Sequence, residues 1–333
     1  MLILIRKDNL PKKKSNPENL GKIHSEKRKD KMKYTSTDKL YFETGPDNQP
    51  TLYVDPEEEI EIQTQINKGP WLDNHPEKKD LEKKLTGANP SSGAIFINGA
   101  NPGDMLNVTI KKIDLDPIGY TQFTKYNPLV PNWMLLKNLT KQHKVVEIKN
   151  GFIHWDENLK IPTKPMLGFV GVSPKSTRWD NRWAGEWGGN FDIQEICEGA
   201  TVHLPINVQG ALLHIGDMHA IQGDGEICGA GGIEAGGRVR IKCSISKKPK
   251  SMTWPRITSE THLMTTAQAK PSDNAFKIAL SEMLLWLEED YGYLPEDAYM
   301  LLAQVLEARC THYINPTYSY VAKVNKKYLK TSL

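Results

Sequence analysis

From Gly188 to Cys243 the chain interrupts its apolar runs every few residues with glycine and sets ionisable side chains beside those glycines. A helix interior cannot carry that pattern, because each glycine there costs about 1 kcal/mol relative to alanine. Short apolar runs bounded by glycine read instead as strands that meet at turns and bulges. The whole chain of 333 residues holds 25 glycines and 21 prolines, with 38% hydrophobic and 25% charged residues, so a folded, turn-rich and largely non-helical protein is expected. Its length allows a substantial core with a buried site.

The pattern extends upstream. Thr51-Leu-Tyr-Val54 reads as a strand, and Ile60, Ile62, Thr64 and Ile66 alternate with polar residues at the period of two that marks a half-buried strand. Residues 67–90 are polar with turn formers at both ends and read as a surface loop or short helix. Residues 93–98 and 105–113 read as a strand pair joined by Gly99-Ala-Asn-Pro-Gly-Asp104. Pro165–Pro174 is an apolar segment whose internal glycines mark a bulge or a close approach of backbone. Beyond Trp254, Phe276, Ala279, Leu280, Met283, Leu284 and Leu287 repeat at helical spacing, with Ser272 or Asp273 as N-cap. A second helix begins at Pro295, with Glu296 and Asp297 in its first turn and Tyr299, Leu302, Leu306 and Cys310 along one side. The expected fold is mainly β with α+β elements: two interlocked β-rich subdomains over 41–246, a helical hairpin over 272–311 and a final strand over 313–324.

The net charge of +3 is misleading, because residues 1–33 hold eleven Lys/Arg against four Asp/Glu and the remaining body is slightly acidic. This segment reads as a disordered basic extension, and 34–333 as the working domain. A phosphate-binding face must lie on the folded part, so no nucleic-acid partner is expected. No apolar run is long enough for a leader or a membrane span, which places the chain in the cytoplasm. Cys197, Cys228, Cys243 and Cys310 lie far apart without a C-x-x-C pair, so free thiols are expected rather than a zinc ribbon or a disulfide framework.

The chemistry concentrates in residues 217–234, where Asp217, His219, Asp224, Glu226 and Glu234 fall within eighteen residues. Asp217 and His219 are two apart, so an extended backbone points both to one face as a pair of metal ligands. Asp224 and Glu226 repeat that spacing with two carboxylates, available as ligands or as a general base. Taken singly, Asp-x-His is commonly a surface pair, Asp-Gly a turn and Cys228 a small buried hydrophobe. The cluster is harder to dismiss, because carboxylates meeting in a cleft repel unless a cation or shared protons offset them.

The runs GGNFDIQEICEGATVHLP and GALLHIGDMHAIQGDGEICG resemble the signature core of the acetamidase/formamidase family, and SSGAIFINGANPGDMLNVTI, PMLGFVGVSP, Trp254-Pro255, ALSEMLLWLEEDYG and AYMLLAQVLEARCTHYINPTYSYVA follow in the expected order. The resemblance spans about residues 45–330. It implies a β-rich, homo-oligomeric hydrolase of small linear amides that binds a divalent metal, zinc ahead of calcium. Carried onto this chain, it implies Asp192, Asp217 and His219 as metal or water ligands, Glu226 and then Glu234 as the base, and Asn190, Gln222 and Asp224 against the substrate. Two alternatives stay open: an amidase using the Cys228 thiol as nucleophile, and a β-rich binder of a small ligand or cation without turnover. Gln65-Ile66-Asn67 offers no carboxylate where the resemblance leads one to expect an Asp. Three tryptophans, Trp179, Trp183 and Trp187, stand just before the GGN segment, either as a pocket wall or as packing aromatics.

Overall fold

A computed structural model describes residues 32–331, apart from 124–128, 138, 140 and 141. The basic extension of residues 1–31 lies outside the described part. Met32–Leu333 clusters as one compact unit. The architecture is mainly β, as expected. Nineteen described strands link through hydrogen bonds into one branching sheet, and Glu43–Thr44 pairs separately with Trp179–Asp180.

Two long strands form the spine. Asp104–Gln122 and Ala230–Lys247 run antiparallel along nearly their whole lengths, from Lys247 beside Asp104 to Ala230 beside Gln122. The register shifts between Ala230 and Glu234 and again between Ala235 and Gly237, where glycines permit bulges. Glu59–Thr64 packs beside this spine with Ile60, Ile62 and Thr64 buried, as its period of two requires. Its other edge takes Lys33–Thr35 as a parallel partner, so Lys33 belongs to a strand of the folded body. Ile60, Ile62, Ile95, Leu106, Val239 and Ile241 belong to the main core, each worth about 1.5–3 kcal/mol on full burial.

Four neighbouring strands position the site. Gly188–Asn190 pairs with Met166–Gly171, which pairs with the wholly buried Leu213–His219, whose end pairs with Ala230–Lys247. His219 and Glu234 are direct cross-strand partners. The expected pairing of 93–98 with 105–113 is corrected. Ser91–Ile97 takes Leu40–Tyr41, Leu52–Val54 and Leu213–His219 as partners, whereas Asp104–Gln122 takes Thr201–Pro205, Ala230–Lys247 and His143–Lys149. The Pro-Gly turn therefore hands the chain to a different set of partner strands instead of closing a hairpin.

The helical hairpin forms from Ser272–Tyr291 and Pro295–Val305. Gly292 closes the first helix in a left-handed conformation, φ 63°, with its N–H bonded back to Leu287 and Glu288. Met283, Trp286, Leu287, Ala298 and Leu302 join Leu263 and Val324 of the sheet in a second core. Two details differ from expectation. Pro271 occupies the N-cap, and no side chain caps that end. The second helix stops at Val305, and Glu307–His312 is a strand paired with Tyr318–Asn325, so Cys310 lies on a strand and Tyr299 is exposed. Among the described residues no helix is long and apolar enough to cross a membrane.

Candidate active site

Asp192, Asp217, His219, Glu226 and Glu234 all reach one buried cluster, each at most 5% exposed. They arrive from different segments. Asp192 follows the Gly188–Asn190 strand, Asp217 and His219 end the Leu213–His219 strand, Glu226 lies in the loop after it, and Glu234 is on the returning strand. A plain extended backbone does not account for the convergence. Asp192, Asp217 and Glu226 hold left-handed φ of 49°, 52° and 43°, as does Asn89 at 48°. Only eight described non-glycine residues do so, and half of them meet here, where strain of about 1–3 kcal/mol each is the kind that functional sites retain.

Glycines make the room. A Cβ on Gly168 would lie 2.3 Å from Asp192 Oδ1 and 2.6 Å from Asp217 Oδ2. One on Gly231 would lie 1.8 Å from Glu226 Cγ, and one on Gly232 would lie 2.9 Å from His219 Nδ1. The glycine density legible in the sequence thus has a local cause: backbone runs directly against the acidic side chains.

Four asparagines and a second histidine complete the cluster. Asn190 Nδ2 donates to Asp192 Oδ2 at 2.7 Å. Asn67 accepts from the backbone N–H of Asn89 at 2.7 Å, which orients its amide so that Nδ2 donates to Asp217 Oδ1 at 3.0 Å and Glu234 Oε2 at 2.9 Å. Asn89 Nδ2 donates to Asn190 Oδ1 and Asp217 Oδ2. His312 Nδ1 lies 2.7 Å from Asp192 Oδ2, with Asn315 Nδ2 at 3.3 Å from the same oxygen. Sequence reasoning missed His312, Asn89 and Asn315, and it noted Asn67 only for the carboxylate it lacks. The THYIN run that carries His312 and Asn315 was already quoted within a matched segment, and that was the available signal.

Several buried atoms have no hydrogen-bond partner among the described residues: Asp192 Oδ1, His219 Nε2 and Glu226 Oε2. His219 Nε2 stands 3.5 Å from Glu234 Oε1 and 3.7 Å from Asp217 Oδ1, beyond normal hydrogen-bond reach. Burial and then the Glu234 charge push the Asp217 carboxyl up to about 7. Burial and the Asp192 charge hold Glu226 well above the usual carboxylate range. Burial would raise Asp192 too, but its hydrogen bond and charge pairing with His312 outweigh that and keep it low. For His219, burial favours the neutral ring, and the charges of Glu234 and Asp217 overcome it, raising the ring well above its ordinary value. Such a cluster collects protons because it is short of positive charge.

A divalent cation is the other way to supply that charge. Asp192, Asp217 and His219 offer ligand atoms within 4.8 Å of one another, and so do His219, Glu226 and Glu234, and Asp192, Glu226 and His312. Nitrogen and oxygen ligands on a tetrahedral zinc lie about 3.4 Å apart and those on one calcium up to about 5.2 Å, so the side chains present can close on either ion, with zinc asking for the greater contraction. The cluster opens on a cavity of about 250 Å³ lined by Asn67, Tyr120, Asn190, Asp217, Glu226 and Glu234 among others. That is below the roughly 300–1,000 Å³ typical of sites for drug-sized ligands.

Three expected site residues lie apart from this cavity. Asp224 faces outward, with its Oδ1 2.8 Å from Arg309 Nε and 3.2 Å from Gln194 Nε2. Cys228 lines a separate, largely apolar cavity of about 610 Å³ with Cys310 and Tyr313, and burial raises its thiol above the ordinary value. Gln222 sits behind His219, which it contacts through Nδ1 at 2.9 Å. The tryptophans pack on one another, Trp179 stacking on Trp187 at 5.1 Å and tilting against Trp183, away from the cavity. All four cysteines are free.

A sequence model described as the Acetamidase/Formamidase family matches residues 28–185 and 180–317. A Schizosaccharomyces pombe protein described as a candidate formamidase is 29% identical over 252 residues, covering 58% of this chain. The chain spans only 61% of that relative's length. The crystal structure of a predicted acetamidase/formamidase from the thermophile Thermoanaerobacter tengcongensis superposes with a TM-score of 0.79 at 31% identity, over 89% of this chain and 96% of that one. That of an acetamidase from Yersinia enterocolitica gives 0.79 at 28% identity, over 92% and 95%.

Proposed function

The chain belongs to the acetamidase/formamidase family, and from that premise we propose that it hydrolyses the C–N bond of small linear amides such as formamide or acetamide to ammonia and a carboxylate. The observation that carries this reading is the buried set of orphaned ligand atoms, Asp192 Oδ1, His219 Nε2 and Glu226 Oε2, of which Glu226 lines a cavity of about 250 Å³ together with Asp217 and Glu234. A cavity of that size suits a substrate of a few heavy atoms.

Asp192, Asp217 and His219 are the residues we assign to hold a divalent cation, zinc ahead of calcium. Such an ion supplies Lewis acidity for the amide carbonyl and a nucleophile at neutral pH. Glu226 is the acid–base residue. Its carboxyl is buried and its Oε2 has no hydrogen-bond partner, so once a cation offsets the neighbouring negative charge it would accept a proton from the attacking water and return it to the departing amine. Glu234 is the second candidate base. Asn67 holds its Oε2 and Asp217 Oδ1 together through one amide group, which keeps both acids oriented toward the cavity. Asn190 reaches the cavity and orients Asp192, placing it beside a bound amide. The thiol route gains no support, because Cys228 opens on the other cavity.

The same reading takes the enzyme as a cytoplasmic homo-oligomer, which cell fractionation and sedimentation check. The test of the activity is ammonia release from formamide and acetamide by chelator-treated protein before and after zinc or calcium is restored. Turnover that returns with the ion supports the assignment. Full turnover in metal-stripped protein, or none under any loading, refutes it.

A further inference from the structure

Gln222 is 8% exposed and bonds to three of the segments that carry the cluster. Its Nε2 donates to the backbone carbonyl of Asp192 at 2.8 Å and to that of Thr311, the residue before His312, at 3.1 Å. Carbonyl oxygens only accept, so these two bonds decide which end of the amide is nitrogen. A flipped amide would set its oxygen against both of them. Oε1 is thereby left facing His219 Nδ1 at 2.9 Å, and an acceptor in that place requires a proton on Nδ1. In the neutral ring the lone pair then lies on Nε2, the atom that faces Glu234 and Asp217 without a hydrogen bond.

We infer that Gln222 is a positioning residue: its amide, oriented by two backbone carbonyls, selects the Nδ1–H tautomer of His219 and so presents the Nε2 lone pair to a divalent cation. The carboxylates around Nε2 favour the opposite tautomer, because an Nε2–H would be attracted to them. That form would turn a metal ligand into a hydrogen-bond donor. Gln222 opposes it from the far side of the ring, where it borders a different cavity with Lys164 and Cys197 and stands clear of any amide in the active one. The same side chain ties together the backbones that deliver Asp192 and His312. The tautomer assignment stands on hydrogen bonding alone, and its use for metal binding rests on the cation-site reading above.

The test is nitrogen-15 NMR of histidine-labelled wild-type protein, metal-free at a pH high enough to leave the His219 ring neutral and zinc-loaded, paired with zinc titration of Gln222→Leu. The expected result is a proton on His219 Nδ1 in both wild-type states, a metal-shifted Nε2 on loading, and zinc affinity about 10–100-fold weaker in the variant, the usual effect of losing a partner that orients a ligand. An unprotonated Nδ1 in either state overturns the inference, as does zinc bound by Q222L with wild-type affinity. If Q222L does not fold, the wild-type spectra decide alone. If wild-type protein binds no zinc, the cation-site reading fails, and the metal-free spectrum still judges the tautomer.

Discussion

Gly168→Ala separates an active-site effect from a folding effect. The added Cβ would sit 2.3 Å from Asp192 Oδ1 and 2.6 Å from Asp217 Oδ2, about 0.7 and 0.4 Å short of the 3.0 Å below which real Cβ contacts are essentially never found. The backbone at Gly168 has no left-handed φ, so alanine is conformationally acceptable and gains about 0.5–1 kcal/mol by restricting the unfolded chain. Overpacking costs about 1–3 kcal/mol, so the net loss is about 0–2.5 kcal/mol. At about 2–4 °C per kcal/mol, Tm falls by no more than about 10 °C. Catalysis is far less tolerant, because a displacement approaching 1 Å in positioned groups lowers turnover on the order of 100-fold. Gly223→Ala is the control, since a Cβ there meets nothing within 4 Å. Ammonia release and thermal melting on both variants make the comparison. Wild-type turnover in G168A, or an equal loss in G223A, would refute the argument that glycine leaves room for the carboxylates.

Further outcomes follow from the same geometry. His312→Ala removes the partner of Asp192 Oδ2 at 2.7 Å and should weaken zinc binding about 10–100-fold, as read by competition with a chromophoric chelator. Metal-free protein should lose stability as pH rises. Asp217 ordinarily titrates at 3.8 and is pushed up to about 7, so its contribution is full below about pH 4 and disappears through about pH 7, and Glu226 acts in the same sense. In metal-loaded protein the ion replaces those protons, so melting curves across pH 4–8 should show the fall in the metal-free form and a much flatter profile in the loaded one. Cys228→Ser should keep ammonia release within about twofold of wild type, because its thiol opens on the other cavity; loss of turnover in that variant alone would revive the thiol route.

How much of this was legible beforehand follows from chain distance. Asp217, His219, Glu226 and Glu234 lie within eighteen residues, and the glycines between them announce close backbone approach, so their convergence could be read directly. The β-rich character was equally plain, because Ile60, Ile62 and Thr64 alternate with polar neighbours. His312 meets Asp192 from 120 residues away and Asn67 meets Asp217 from 150. Only sheet pairing brings such residues together, and no local periodicity encodes it. The apolar spacing of Leu302, Leu306 and Cys310 also suits a helix, which hid the strand that delivers His312. Residues 67–90 looked like a solvated loop, yet the asparagines at its two ends, Asn67 and Asn89, turn inward to bond the carboxylates. Asp224 misled for the opposite reason. It shares the spacing of a ligand pair with Glu226, but Arg309 draws it to the surface.

The most direct trial of the whole account is an anomalous-difference map from zinc-soaked crystals of the full chain, recorded on both sides of the zinc edge. The account predicts one strong peak bonded by His219 Nε2 and by carboxylate oxygens of Asp192 and Asp217, bordering the cavity that Glu226 lines. A cluster without a peak, or zinc bound only at surface histidines, would contradict it.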